Sequence, residues 1–315
     1  MGDNSKIGVV DIGSNSIVLL IAMISDNHSI QTANEFYSIT KLGAEVKKNG
    51  CLSDSAVDFT ISTVKEMKLI AEQEGVSELI VTASSAVRNA ENRNRFLVKC
   101  HQNFGIFPQV LSGKEEAKYT YMGATSGIET NKPLFIFDIG GGSTELSWGH
   151  KNLMVSAESI DVGCVVIAEM FNLSSEFSMY KRIAASRYIR KQLQPVVEKY
   201  HQWINTKEPQ VIATGGTATT FAAMHLKQTI YDRMNIHEVK CSKKDVVHMA
   251  TEIGKMDMRT RRRLPGMEKE RAEEMPAGLL ILAEVLQLFN FHNFIVSTNG
   301  LRVGILRNYV ATINN

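Results

Sequence analysis

At 315 residues the chain exceeds a typical single core, so two domains of about 100–200 residues each are expected. Hydrophobic residues at 44% and charged residues at 22% exclude a disordered or fibrous protein. A net charge of +2 excludes a global attraction to nucleic acid or anionic lipid, so any anion binding must be local.

The longest apolar run, Ile17 to Ile24, falls far short of the roughly 20 residues a bilayer-spanning helix needs. Asp3 and Asn4 lead almost directly into Ile7 to Val10, without the basic start and long apolar segment of an export signal. No membrane partner and a cytoplasmic location are therefore expected. Cys51, Cys100, Cys164 and Cys241 lie far apart with no CxxC pair, which reads as reduced thiols rather than a zinc site or disulfide framework.

In chain order, Ile7 to Ile12 and Ile17 to Ile24 are continuous apolar runs of the kind buried strands show. A polar turn at 25–29 leads to a third predicted strand, Ile30 to Tyr37. Ser53 then caps an amphipathic helix with the stripe Val57, Ile61, Val64, Met67 and Ala71, ended by Gly75. Glu78 to Ala83 reads as a strand and Lys114 to Met122 as a helix. The pattern then restarts at Leu134 to Ile139, with return strands at 145–148 and 153–157. From Asp11 to Asp138 the period is 127 residues. Helix is predicted near Ser174 to Tyr200, a strand at Gln210 to Ala213, a helix from Ala218, and another from Pro276 to about Phe291. Phe294 to Ser297 is the last predicted strand and Leu301 to Val310 the last helix.

Asp11-Ile12-Gly13-Ser14-Asn15-Ser16 joins two apolar strands. One such loop reads as easily as a hairpin turn with a capping Asp as it does an anion cradle. Its counterpart, Asp138-Ile139-Gly140-Gly141-Gly142-Ser143-Thr144-Glu145, shifts that balance. Three successive glycines cost backbone entropy that a simple turn does not require, whereas close approach to a ligand does. Two such loops at equivalent points of a duplicated unit imply a pair facing one cleft. Each offers backbone N–H groups to a phosphate chain and an Asp to its cation. Thr214-Gly215-Gly216-Thr217 follows a strand and opens a helix, which suits either a phosphate at a helix N-terminus or a plain turn capped by Thr217. Glu115 and Glu116, at a helix start in Ser112-Gly113-Lys114-Glu115-Glu116, favour the helix dipole whatever else they do. Arg88, after a strand end, is read equally as solvated or as a bidentate phosphate ligand. Arg259, Arg261, Arg262 and Arg263 form a run that reads as a solvated face, or as a guide for a polyanion.

Together DIGSNS, TASSAVR, SGKEEA, DIGGGSTE, ATGGTATT and NGLRVG, in this order and spanning nearly the whole chain, resemble the exopolyphosphatase/guanosine pentaphosphate phosphatase (Ppx/GppA) family. The resemblance implies an α/β protein with a duplicated actin-like ATPase fold, that of acetate and sugar kinases, Hsc70 and actin, in two domains with an interdomain cleft. The first domain would take residues 1–125 plus 297–315 and the second 126–296, with the last strand and helix returning to the first. It implies hydrolysis of terminal phosphate from polyphosphate or from guanosine pentaphosphate. Carried over by motif, Glu116 activates water and Arg88 assists it, and Asp138 and Glu145, with Asp11, hold metal or water. The phosphates fall to Gly13, Ser14, Asn15 and Ser16, to Gly140, Gly141, Gly142, Ser143 and Thr144, and to Gly215, Gly216 and Thr217.

Two carboxylates about 4 Å apart repel by roughly 4 kcal/mol at an effective dielectric of 20, so an acidic cluster needs a cation, for which Mg²⁺ or Mn²⁺ is suited. Homodimerisation is compatible with the resemblance. Three departures from the family pattern stand out: Val166 where an arginine is common, Asn299 where an acid is usual, and Val303 after Arg302. The chain ends where longer members continue into a helical HD-like domain, so a channel built from that domain is not expected. Two other classes stay open, a guanosine tetraphosphate-binding regulator that does not hydrolyse and a small-molecule kinase of the same fold.

Overall fold

The computed structural model describes residues 5–25 and 29–313. Asp3 and Asn4 and most of the turn expected at 25–29 lie outside them. Two compact units emerge, Met1–Tyr119 with Arg302–Asn315, and Thr120–Leu301.

The first unit opens with the meander β1 (Ser5–Ile12), β2 (Ser16–Ile24) and β3 (Ile30–Ile39), followed by the short α1 (Val46–Asn49) and by α2 (Asp54–Gln73). Next come β4 (Glu78–Ala83), α3 (Ser85–Asn89), α4 (Arg93–Phe104), β5 (Gln109–Val110) and α5 (Gly113–Ala124), which runs across the division. The sheet order is β3-β2-β1-β4-β5, antiparallel through the meander and parallel from β1 to β5. Val10, Ile12, Ile17, Leu19 and Ile21 are wholly buried, and the α2 stripe of Val57, Ile61, Val64, Met67 and Ala71 packs into the same core. Ser53 caps α2 by accepting from the Ala56 N–H at 3.4 Å.

The second unit repeats the meander as β6 (Pro133–Ile139), β7 (Thr144–His150) and β8 (Leu153–Ile160). It continues through α6 (Cys164–Met170), α7 (Met179–Lys207), β9 (Gln210–Thr214), α8 (Gly215–His225), α9 (Arg233–Ile236), β10 (Lys240–Ser242) and α10 (Lys243–Gly254). After α11 (Met258–Arg261) and a 3₁₀ turn at Lys269–Arg271 come the largely apolar α12 (Met275–Leu288) and β11 (Asn293–Val296). Its sheet runs β10-β11-β9-β6-β7-β8. Strand for strand, β8-β7-β6-β9-β11 repeats β3-β2-β1-β4-β5, the duplicated actin-like α/β fold. The final helix, α13 (Leu301–Ile313), belongs almost entirely to the first unit. The last strand does not return with it: β11 is hydrogen-bonded between β9 and β10 in the second sheet.

Three sequence expectations need correction. Residues 174–178 are not helical, and α7 starts at Met179 with Ser178 as its cap. Arg261 is the cause. Far from solvated or free for a polyanion, it is wholly buried and donates to the carbonyls of Leu173 (3.3 Å), Ser174 (2.8 Å), Ser175 (2.7 Å) and Ile253 (3.0 Å). Burial lowers its guanidinium pKa to about 10. Carbonyls held by a side chain cannot also close helical turns. Second, α8 starts at Gly215 rather than Ala218. Third, α12 ends at Leu288, before Phe291. No helix among the described residues is long and apolar enough to cross a membrane. All four cysteines are free thiols.

Candidate active site

Because the two sheets repeat in register, the two loops can be compared position by position. In the first unit Asp11, at the end of β1, lies opposite Val18 on β2 and Thr82 on β4, and Val18 lies opposite Tyr37 on β3. In the second, Asp138 lies opposite Glu145 on β7 and Thr214 on β9, and Glu145 lies opposite Ser159 on β8. The polar row Thr214, Asp138, Glu145, Ser159 thus corresponds to Thr82, Asp11, Val18, Tyr37. The repeated Asp is common to both units, while the second acid is installed only once.

Loop 1 is closed by the Gly13 N–H donating to Ser16 O at 2.9 Å. Its carbonyls turn toward the segment before α1: Ser14 O accepts from Gly43 and Asn15 O from Thr40 and Lys41. Ser14 and Asn15 are buried, whereas Gly13 and Ser16 are half-buried. Burial pushes the Asp11 carboxyl above its ordinary range, opposed by the Arg302 charge and by the Thr82 hydroxyl at 3.4 Å.

Loop 2 is closed in the same way, Gly140 N–H to Ser143 O at 2.9 Å. Here α6 takes up the loop carbonyls: Cys164 donates to Gly140 O at 2.9 Å, and Val165 and Val166 donate to Gly141 O at 3.0 and 3.3 Å. Gly163 makes this possible, since a Cβ there would lie 2.2 Å from Gly141 O. With the carbonyls turned onto α6, the backbone N–H groups of Gly141, Gly142 and Ser143 have no protein acceptor among the described residues. Buried Glu145 accepts the hydroxyls of Ser143 (2.7 Å) and Ser159 (2.8 Å) on Oε1.

The third glycine turn packs against the same Asp. Gly215 has φ +81°, and a Cβ on it would fall 1.9 Å from Asp138 Oδ1. Thr217 does not cap α8. That position is Thr214, while the buried Thr217 hydroxyl donates to Ile139 O at 3.0 Å and ties the turn to β6.

Sequence reasoning missed Arg271, whose guanidinium packs on Gly216 with no room for a side chain between them. Burial works against its charge, but Glu268, 2.8 Å from Nε, and Glu274 more than offset it and hold Arg271 cationic. The only signal was the doubled glycine, which leaves space for a group from elsewhere in the chain.

In the first unit Arg88 and Glu116 come together. Arg88 Nη1 donates to Glu116 Oε2 at 2.7 Å and to Leu111 O at 2.9 Å, and both side chains are largely buried. Adjacent Glu115 has a different task. It accepts from the Ser112 N–H (2.8 Å) and hydroxyl (2.7 Å) and receives a cap in return, and those bonds lower its pKa.

The departures find local explanations. Asn299 accepts from Arg233 Nη2 at 2.6 Å and donates to Ser126 O at 3.2 Å. An Asp there would keep the first bond and set an oxygen against the Ser126 carbonyl. Val303 is buried. Val166 lies in the first turn of α6, directly behind Gly141.

A model of the Ppx/GppA phosphatase family matches residues 20–312. The crystal structure of the Aquifex aeolicus Ppx/GppA family member is 27% identical, with a TM-score of 0.81 over 99% of both chains. An exopolyphosphatase from Cytophaga hutchinsonii is 26% identical, with a TM-score of 0.88 over 98% of both. The bifunctional 3-dehydroquinate synthase/phosphatase of Fusobacterium nucleatum is 29% identical over 309 residues, 94% of this chain. The chain spans 45% of that relative's length.

Proposed function

The chain belongs to the Ppx/GppA phosphatase family, and on that premise we propose that it hydrolyses terminal phosphoanhydride bonds, releasing orthophosphate from polyphosphate or from guanosine pentaphosphate. One observation carries the reading. Among the described residues, loop 2 presents three backbone N–H groups without a protein acceptor beside the cross-strand carboxylates of Asp138 and Glu145, an anion cradle next to a place for a cation.

The donor set suits Mg²⁺ or Mn²⁺. Like charges directly opposite one another on adjacent strands are destabilising, and a cation between Asp138 and Glu145 removes that cost. Among the described residues no group of three or more His, Cys, Asp and Glu side chains is gathered as a ready-made cage. Mg²⁺ tolerates this, since it keeps several waters and takes its other oxygens from phosphate. When bound, the ion would neutralise charge on the phosphoryl oxygens.

The remaining roles fall to the chain's own groups. Glu116 accepts the proton of the attacking water. Arg88 fixes that carboxylate through Nη1, and the rest of its fork would take a phosphate oxygen. The N–H groups of loop 2 hold phosphate oxygens, and Arg271 adds positive charge behind the Gly215–Gly216 turn. Within the first unit, Asp11 and loop 1 are the corresponding candidates for a cation and a phosphate oxygen.

The test is free-phosphate release from long polyphosphate, guanosine pentaphosphate and ATP, each in a separate tube, with and without EDTA. EDTA-sensitive release from either of the first two supports the reading. No release from any points to a binding protein, and transfer from ATP only when an acceptor is added points to a kinase.

A further inference from the structure

In the polar row across the second sheet, Ser159 bonds directly to the proposed cation ligand Glu145 yet has no role in the proposed chemistry. It lies on the edge strand β8, exposed as a residue, yet its hydroxyl is turned inward onto Glu145 Oε1 at 2.8 Å. Ser143, the last residue of loop 2, donates to the same oxygen from the other side at 2.7 Å. Glu145 itself is 3% exposed. Two hydroxyls converging on one carboxylate oxygen fix the rotation of the carboxyl group, because both must be satisfied by the same atom in one plane. At the equivalent first-unit positions, Val18 carries no carboxylate and Tyr37 stands where Ser159 would be. The serine therefore accompanies the acid and not the strand, since an edge position of this kind has no packing reason to be a serine.

We propose that Ser159 is a positioning residue that orients the Glu145 carboxylate for the divalent cation. The inference rests on the reading of Glu145 as a cation ligand. Residues that hydrogen-bond a metal-binding carboxylate from behind are worth about 10–100-fold in metal affinity or activity when removed. A hydroxyl that merely satisfied a buried carboxylate would act on stability alone.

The experiment compares wild type, Ser159→Ala and Ser159→Thr, with Mn²⁺ as the probe. Mn²⁺ binding is measured without substrate by electron paramagnetic resonance, and polyphosphate hydrolysis is measured across a range of Mn²⁺ concentrations. Melting temperatures are measured in parallel, since removing a donor from the buried Glu145 carboxylate costs stability whatever its role, and the Mn²⁺ affinity is compared only where the variants are fully folded. Ser159→Ala is expected to raise the Mn²⁺ Kd about tenfold and to lower kcat at fixed subsaturating Mn²⁺, with the KM for polyphosphate within about twofold. Ser159→Thr, which keeps the hydroxyl, restores both to within about twofold. Wild-type binding of Mn²⁺ with an unchanged Ser159→Ala variant overturns the role of Ser159 alone. Failure of the wild type to bind Mn²⁺ overturns the cation reading, and the inference with it.

Discussion

Asp11 and Asp138 occupy equivalent positions in two copies of one unit, but their surroundings set them apart. Asp138 has Glu145 across the strand, so its site brings two carboxyl groups together. Asp11 has Val18 there and is enclosed instead, with burial raising its pKa against the pull of Arg302 and Thr82. A carboxyl whose folded pKa lies above its unfolded value of 3.8 costs the fold stability as pH rises through that interval, and the cost persists at neutral pH. Asp11→Asn is therefore expected to raise the melting temperature at pH 7, with the gain shrinking toward zero as the pH falls to 3.8. A gain that grows on acidification would contradict the environment assigned to Asp11. The same variant is expected to lose phosphatase activity, the usual exchange where a buried charge is kept for function.

Elements were legible in the sequence where their pattern was self-sufficient. The apolar strands β1, β2 and β6 and the stripe of α2 needed nothing beyond their own periodicity, and Ser53 caps where its position said it would. Reading failed where a distant side chain decides. Beyond the Ser178 cap, the carbonyls of 173–175 are held out of α7 by Arg261, more than eighty residues later in the chain. Within Arg259 to Arg263, at the end of α11 and just beyond it, only the direction each side chain takes separates the buried member from its exposed neighbours. The site followed the same division. The glycine loops were readable as tight turns, whereas the contact of Arg271 with Gly216 and the bond of Arg88 to Glu116 depend on the fold bringing separate segments together. Arg261→Ala strands several buried carbonyls, each costing about 1–3 kcal/mol, and is expected to lower stability by at least about 3 kcal/mol in urea denaturation. Arg262→Ala, on the exposed side, should stay within about 0.5 kcal/mol. Similar losses for the two would contradict the carbonyl-clamp role.

For the whole molecule, duplication explains why the chain carries two hairpin loops, each closed by the same N–H to carbonyl bond across its turn. The copies differ where the proposed chemistry sits. One unit sets Asp138 opposite Glu145 and holds the loop 2 carbonyls on α6; the other carries Glu116 on α5, bonded by Arg88. The chain belongs to the Ppx/GppA phosphatase family, and the proposal assigns the proton-accepting step to Glu116. The most direct test is steady-state phosphate release from polyphosphate by wild type and Glu116→Gln, with melting temperatures measured in parallel. The account predicts a fall in kcat of about 100-fold or more, with KM nearly unchanged and the fold intact. A folded Glu116→Gln protein that turns over at close to the wild-type rate would contradict it.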